Sequence, residues 1–348
     1  MTLLVPGLLI AYALAVAAAG TWWLPRASWP RRLPKLGIVA WQMLTVSVVA
    51  SILLAGLLAA IPCLPAGVNL DAAAELREHY SSAWGIVIGV TAAAVSLAMI
   101  GRLAWATVSA MAMARRRRAR HAEGLALVGR PGPVAGVVVL DDDRPLVYCL
   151  PGRGRVVVTT GALNRLDNAQ LQAVLAHEQA HLSARHHLVI MLARILASAF
   201  PGVRFMATAA DEIGGLVEMA ADDSAARRHR LPLAHALLVL ATSSVPAPAL
   251  GAARTASSQR IRRLLDPPQP CSAVGRTVAF TLALLAAPAI ALAVPVCALL
   301  TAPRCLPAAP HEPPAASAPP REFRMISATG VQANAAAPWV FPGSGPET

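Results

Sequence analysis

The sequence predicts an α-helical membrane protein in which four transmembrane helices carry an α+β domain inserted between the third and the fourth. Three observations lead there. Of the 348 residues, 56% are hydrophobic and only 14% are charged, whereas a soluble domain is near 45–50% apolar and about a quarter charged. Four apolar runs are long enough, at about 20 residues, to cross a bilayer. Between the third and fourth runs, a segment of a typical domain's length shows first strand-like and then helical periodicity.

The first span is Thr2–Trp23. Ala17-Ala18-Ala19 resembles a signal-peptidase site, but no Lys or Arg precedes it, so this span is expected to be retained. The second, Leu36–Leu64, carries no charge, and neither does the fourth, Thr277–Thr301. A helix buried in a soluble core would keep a polar stripe, and these two runs have none. The third, Trp84–Ala114, is interrupted by Arg102, which is expected to snorkel.

The net charge of +12 comes from basic residues of which all but Lys35 are arginines. Many of them flank the apolar runs. Arg26, Arg31, Arg32 and Lys35 follow the first span. Asp71, Glu75 and Glu78 outweigh Arg77 after the second. Arg115 to Arg118 and Arg120 end the third, and Arg260, Arg262, Arg263 and Arg276 precede the fourth. Basic loops stay inside, so both termini are expected outside and residues 115–276 in the cytoplasm, in a multi-pass plasma-membrane protein. This placement argues against a direct nucleic-acid partner, and 4% aromatics provide little stacking surface for single strands. The expected organisation is three spans in 1–114, a cytoplasmic domain in 115–276, a fourth span in 277–302 and an unstructured Pro/Ala-rich outer tail in 303–348.

Within the inserted domain, Val134–Leu140, Leu146–Leu150 and Arg155–Thr160 read as a small antiparallel sheet. Asp167 and Gln170 form a capping-box signature. The helix they open carries Leu171, Val174, Leu175 and Leu182 on a largely common side. Leu188–Phe200 is apolar but short, and reads as a domain helix or an interfacial one. Leu233–Thr242 reads as a further short helix. The five cysteines form no C-x-x-C pair, which removes support for a thiolate zinc site or a disulfide framework.

The chemistry-bearing motif is His177-Glu178-Gln179-Ala180-His181. On a helix the two histidines stand one turn apart on one face. Two imidazoles there suit zinc, and Glu178, which is not a ligand, is placed to take a proton from zinc-bound water attacking a peptide carbonyl. A catalytic zinc takes a third protein ligand, for which two candidates stand. His187 occupies the last His position of H-E-x-x-H-x-x-G-x-x-H, but Ala184 replaces the glycine that breaks the helix. On a continuing helix His187 faces away from His181. Glu218 is the expected ligand; Asp222, one turn on, is expected to accept the outer N–H of a ligand histidine. His186, His229 and His235 are expected to be ordinary structural or surface histidines.

Leu175-Ala176-His177-Glu178-Gln179-Ala180-His181 with Glu218-Met219-Ala220-Ala221-Asp222 resembles the gluzincin membrane peptidases. It resembles both the BlaR/MecR-type antirepressor proteases and the HtpX-like/CAAX-protease branch. The resemblance implies a zincin fold for residues 115–265 and one Zn²⁺ per chain. Arg185-His186 is similar to the Arg-His that follows the motif in the HtpX-like branch. Gln259 to Leu265 resembles that branch's late Arg-Ile helix and implies a substrate-binding role for Arg260, although the preceding His-Pro is absent. BlaR/MecR sensors carry an outer penicillin-binding domain with an S-x-x-K nucleophile. With Lys35 the only lysine and a short outer tail, no such sensor is expected.

The resulting expectation is an integral membrane zinc endopeptidase acting on protein or peptide substrates. The BlaR/MecR resemblance implies a cytosolic regulator such as a transcriptional repressor; the HtpX-like one implies membrane-protein quality control. A non-catalytic receptor with a vestigial site has no reason to keep Glu178, and a transporter would carry charges inside the second and fourth spans.

Overall fold

The computed structural model describes residues 4–60, 83–132, 134–150, 154–243 and 250–267. The chain divides into two compact units, Met1–Ala302 and Pro303–Thr348. The expected fourth span and the tail lie outside the described residues, as does the acidic loop up to residue 82.

Helix α1 covers Leu4–Trp22, a 3-10 turn covers Leu24–Arg26, α2 covers Trp29–Arg32, α3 covers Pro34–Ala60 and α4 covers Ala83–Val128. Pro34 opens α3, where its missing N–H has no intrahelical partner to lose. Three helices, Val5–Arg26, Pro34–Ala60 and Trp84–Val128, are long and apolar enough to cross a membrane. Their outward faces show large apolar side chains, among them Leu8, Leu14, Ile86, Leu97 and Trp105, which suits lipid better than water. Helix α4 passes the expected end at Ala114 and runs on through the arginine cluster. Ala, Arg and Met are strong helix formers, so its 46 residues extend roughly 69 Å.

The sheet consists of β1 (Arg130–Pro131), β2 (Val137–Leu140), β3 (Val147–Leu150) and β4 (Arg155–Thr159), in the order β1-β2-β4-β3. It is mixed, not antiparallel throughout: β2 pairs parallel with β4 (Val137 opposite Val156), and β3 pairs antiparallel with β4 on the other side (Val147 opposite Val158). The Asp141–Pro145 segment is therefore a crossing, not a hairpin. Thr159 pins it, donating to Arg144 O at 2.6 Å and accepting from Leu146 N at 2.9 Å. β3 is left at an edge.

After α5 (Thr160–Leu163) come α6 (Asn168–Ser183), α7 (His186–Ala199), α8 (Arg204–Ser243) and α9 (Leu250–Leu265). The capping box at the start of α6 is present, with Gln170 N donating to Asp167 Oδ1 at 2.8 Å. Helix α8 is kinked at His229, three residues before Pro232, as the proline ring requires; Leu233–Thr242 is its distal part.

Among the described residues, α8 joins the two larger of three buried cores. In the first, α1 and α3 pack on α7 and the first half of α8, with Trp41 and Phe205 rings 6.0 Å apart. The second joins the sheet, α6, the later part of α8 and Leu264 of α9. Glu218 and Asp222 stand where α8 passes between them. Helix α7, about 21 Å long, is too short to span a bilayer; it packs against α4, α6 and α8, and Gln42 of α3 donates to Val189 O at 2.9 Å. Arg102 donates from Nε to Ala199 O at 2.6 Å, satisfying one of the carbonyls that a helix end leaves unpaired.

Candidate metal centre

Helix α6 presents His177 and His181 inward from consecutive turns, with Nε2 atoms 3.1 Å apart. Glu218 of α8 approaches both, Oε2 at 3.5 Å from His177 Nε2 and Oε1 at 3.6 Å from His181 Nε2. One ligand atom from each of these three lies within 4.8 Å of the others. Four ligands held 2.0–2.1 Å from a zinc ion at tetrahedral angles are about 3.3–3.4 Å from one another. Two imidazole nitrogens and a carboxylate oxygen at these separations fit that ion in both chemistry and size.

Asp222 is almost fully buried, and its Oδ1 lies 3.0 Å from His177 Nδ1. Asp222 thus faces the side of His177 that is turned away from Glu218. Arg260 of α9 grips Asp222 with two bonds, Nε to Oδ2 and Nη2 to Oδ1, each 2.7 Å. Its Nη1 lies 3.0 Å from Glu218 Oε2. Only 15% of the Arg260 side chain is exposed. The neighbouring Arg263 pairs with Asp223.

These contacts set the charges. Burial opposes ionisation of Asp222, but the bonds from Arg260 and His177 overcome it and hold its carboxyl down at about 2. Burial likewise opposes a charged His177, yet Asp222 and Glu218 raise it to about 9. His181 goes the other way: burial lowers it to about 4, aided by the charge of His177. Glu218 stays below the usual range despite burial, because His177 and Arg260 favour its carboxylate.

Glu178 points away from this cluster of donors towards the sheet. Burial raises its pKa, an effect that the nearby charge of His177 and the Cys149 thiol of edge strand β3 partly offset. Cys149 is itself pushed up to about 12, first by burial and then by the charge of Glu178. At neutral pH the thiol therefore stays protonated.

The helix does not continue through residue 184. Ala184 ends α6 and Arg185 adopts the left-handed region at φ 52°, after which α7 restarts. Arg185 is the only non-glycine with positive φ among the described residues, a conformation costing roughly 1–2 kcal/mol. The break turns His186 inward. Of the two expected roles, structural or surface, His186 takes the first: it is buried, with Nδ1 3.2 Å from His181 Nδ1. His187 is not brought to the ligand group; Arg118 and Arg185 lie near enough that their charges, after burial, lower its pKa. Sequence reasoning missed His186 and Cys149. The Arg-His pair was a signal for the first; nothing in the sequence links Cys149 to Glu178 across 28 intervening residues.

Residues 111–226 match peptidase family M48. The chain is similar to the protease HtpX homolog of Thermodesulfovibrio yellowstonii, 33% identical over 86 residues, which are 24% of this chain and 30% of that protein. Against the protease HtpX homolog of Aquifex aeolicus it is 44% identical over 66 residues, 19% of this chain and 22% of the relative. Against protease HtpX of Legionella pneumophila it is 32% identical over 77 residues, 21% and 28% respectively. The matched region spans less than a third of each of these relatives. No solved structure matches the chain.

Proposed function

We propose that this chain is a membrane-integral zinc endopeptidase whose active centre is built by His177, His181 and Glu218 as ligands and Glu178 as the general base. The observation that carries this reading is the grouping of two imidazoles and a carboxylate at tetrahedral-edge distances, with a buried carboxylate beside them, in a segment matching peptidase family M48. Zinc bound there supplies Lewis acidity to a scissile carbonyl and lowers the pKa of water.

The chain's own residues supply the rest. Burial raises Glu178 towards the range of an effective base, so it takes the attacking proton and returns it to the leaving amine. Cys149 of β3 lies near enough to that carboxylate for the two to shift each other's ionisation. Asp222 holds His177 by its Nδ1 side, and Arg260 fixes both Asp222 and Glu218, so Arg260 acts here as a positioning residue. The open edge of β3 accepts an extended substrate peptide by strand addition, which lays its backbone beside Glu178. Charge placement puts this centre on the cytoplasmic side.

The substrate reading favours polypeptides presented at the membrane face over a soluble repressor. The relatives above carry the HtpX name, and the ligand Glu218 sits on a helix whose first half packs on α1 and α3. The test is proteolysis of a membrane-tethered and a soluble unfolded polypeptide by the full chain and by Glu178→Gln. Wild-type cleavage should be faster on the tethered polypeptide and fall by roughly 10²–10⁴ in the variant. Equal rates for wild type and variant would remove the mechanism.

A further inference from the structure

We propose that an open cleft of about 590 Å³ between the connector that follows α1 and helix α9 binds a phosphate-bearing anion. The source is either an anionic lipid headgroup or a free phosphate compound. Five arginines line it, Arg26, Arg31 and Arg32 from the connector and Arg262 and Arg263 from α9, with Asp266 as the acid in the lining. Arg26, Arg31, Arg32 and Arg262 are exposed.

The cleft is built, not merely charged. Arg263 donates from Nε to Arg31 O at 3.0 Å, which ties the connector to α9. Its guanidinium is held by Asp223. Arg31 reaches Glu212 at 3.6 Å, and the Arg26 guanidinium lies over the Trp22 ring at 5.1 Å from its centroid. Five guanidinium groups with one carboxylate in the lining make a field that favours an anionic ligand. Guanidinium groups engage phosphate oxygens through two parallel bonds, which lysine cannot do.

Position favours the membrane face. The connector joins the ends of two spans, and exposed Trp22 and Trp23 mark it. Tryptophans in that setting sit at headgroup depth, where anionic lipids attract basic clusters. An anion bound there fastens α9 to the connector. Arg260 lies one turn from Arg263 on that helix, so the anion also steadies the residue that clamps Asp222 and Glu218. The proposal goes beyond the peptidase reading, and its readout is binding.

The test uses purified full chain in detergent, titrated with short-chain phosphatidylglycerol, with phosphatidylcholine of the same chains, and with inorganic phosphate, read by native mass spectrometry. Arg26→Ala/Arg262→Ala removes two cleft charges; Arg116→Ala/Arg117→Ala removes two from α4 as a control. The wild type should retain one phosphatidylglycerol at concentrations where phosphatidylcholine does not bind. The cleft pair should weaken that binding roughly tenfold or more, and the α4 pair less than about twofold. Displacement of the lipid by millimolar phosphate supports the site with a soluble ligand as source; no displacement supports it with a lipid as source. Unchanged binding in the cleft pair, or equal loss in both pairs, overturns it. Should the double variant lose its native circular dichroism, Arg262→Gln alone carries the same comparison.

Discussion

At the residue scale, the centre is a competition between protons and metal for the same imidazoles. His177 is raised to about 9 and His181 lowered to about 4. At pH 7 the metal-free protein therefore holds a proton on His177, and His181 is neutral. A ligand histidine must be neutral, so metal displaces that proton. Zinc affinity should rise with pH up to about 9, and binding at pH 7 should release about one proton, measured by calorimetry in buffers of different ionisation enthalpy. The stability sign follows from the same shift. In metal-free protein the His177 pairing stabilises the fold fully below its ordinary value of 6.5 and is lost as pH rises through about 9. Asp222→Asn keeps the shape but removes the charge facing His177. Zinc affinity should fall by roughly 10–100-fold in a chelator competition, and an unchanged affinity would remove Asp222 from the account. Helical spacing puts His177 with His181, and Glu218 with Asp222, on common faces in the sequence; that α6 and α8 bring the two pairs together is a matter of packing. His186 and Cys149 were not legible in the sequence: one depends on a backbone break, the other on which strand lies beside α6.

At the element scale, the two departures from sequence expectation have one cause, a chain reversal not marked by Gly or a hairpin turn. Ala184-Arg185 looks helix-compatible, yet Arg185 turns left-handed and α7 restarts to pack on α4 and α8. Tertiary packing overrides local preference there. The Asp141–Pro145 segment reads as a hairpin turn, but it crosses β4 and leaves β3 at the edge. The Thr159 hydroxyl makes that crossing, serving Leu146 N, Arg144 O and Ala162 N together. Thr159→Val preserves shape and takes the hydroxyl away from these three groups, of which Ala162 N is buried. It should cost about 2 kcal/mol, read as a lowered midpoint in chemical denaturation of the detergent-solubilised protein. No loss would show that the crossing is held otherwise.

At the scale of the whole molecule, spans and peptidase segment share one packed unit. Trp41 of α3 and Phe205 of α8 belong to one core, and α8 continues from it into the core of the sheet domain. Composition made the three long apolar helices among the described residues legible, while the continuity of α4 through its arginine cluster was hidden by reading charge as a boundary. A reporter active only outside the cell should fail when fused after Gly129 and work when fused after Pro342, if basic loops fix the orientation. The central claim is the metal centre itself, and metal analysis of purified full chain tests it most directly. The account predicts one zinc per chain in wild type and in His187→Ala, and its loss in His177→Ala and Glu218→Ala. Retention of stoichiometric zinc by Glu218→Ala together with its loss in His187→Ala would contradict it.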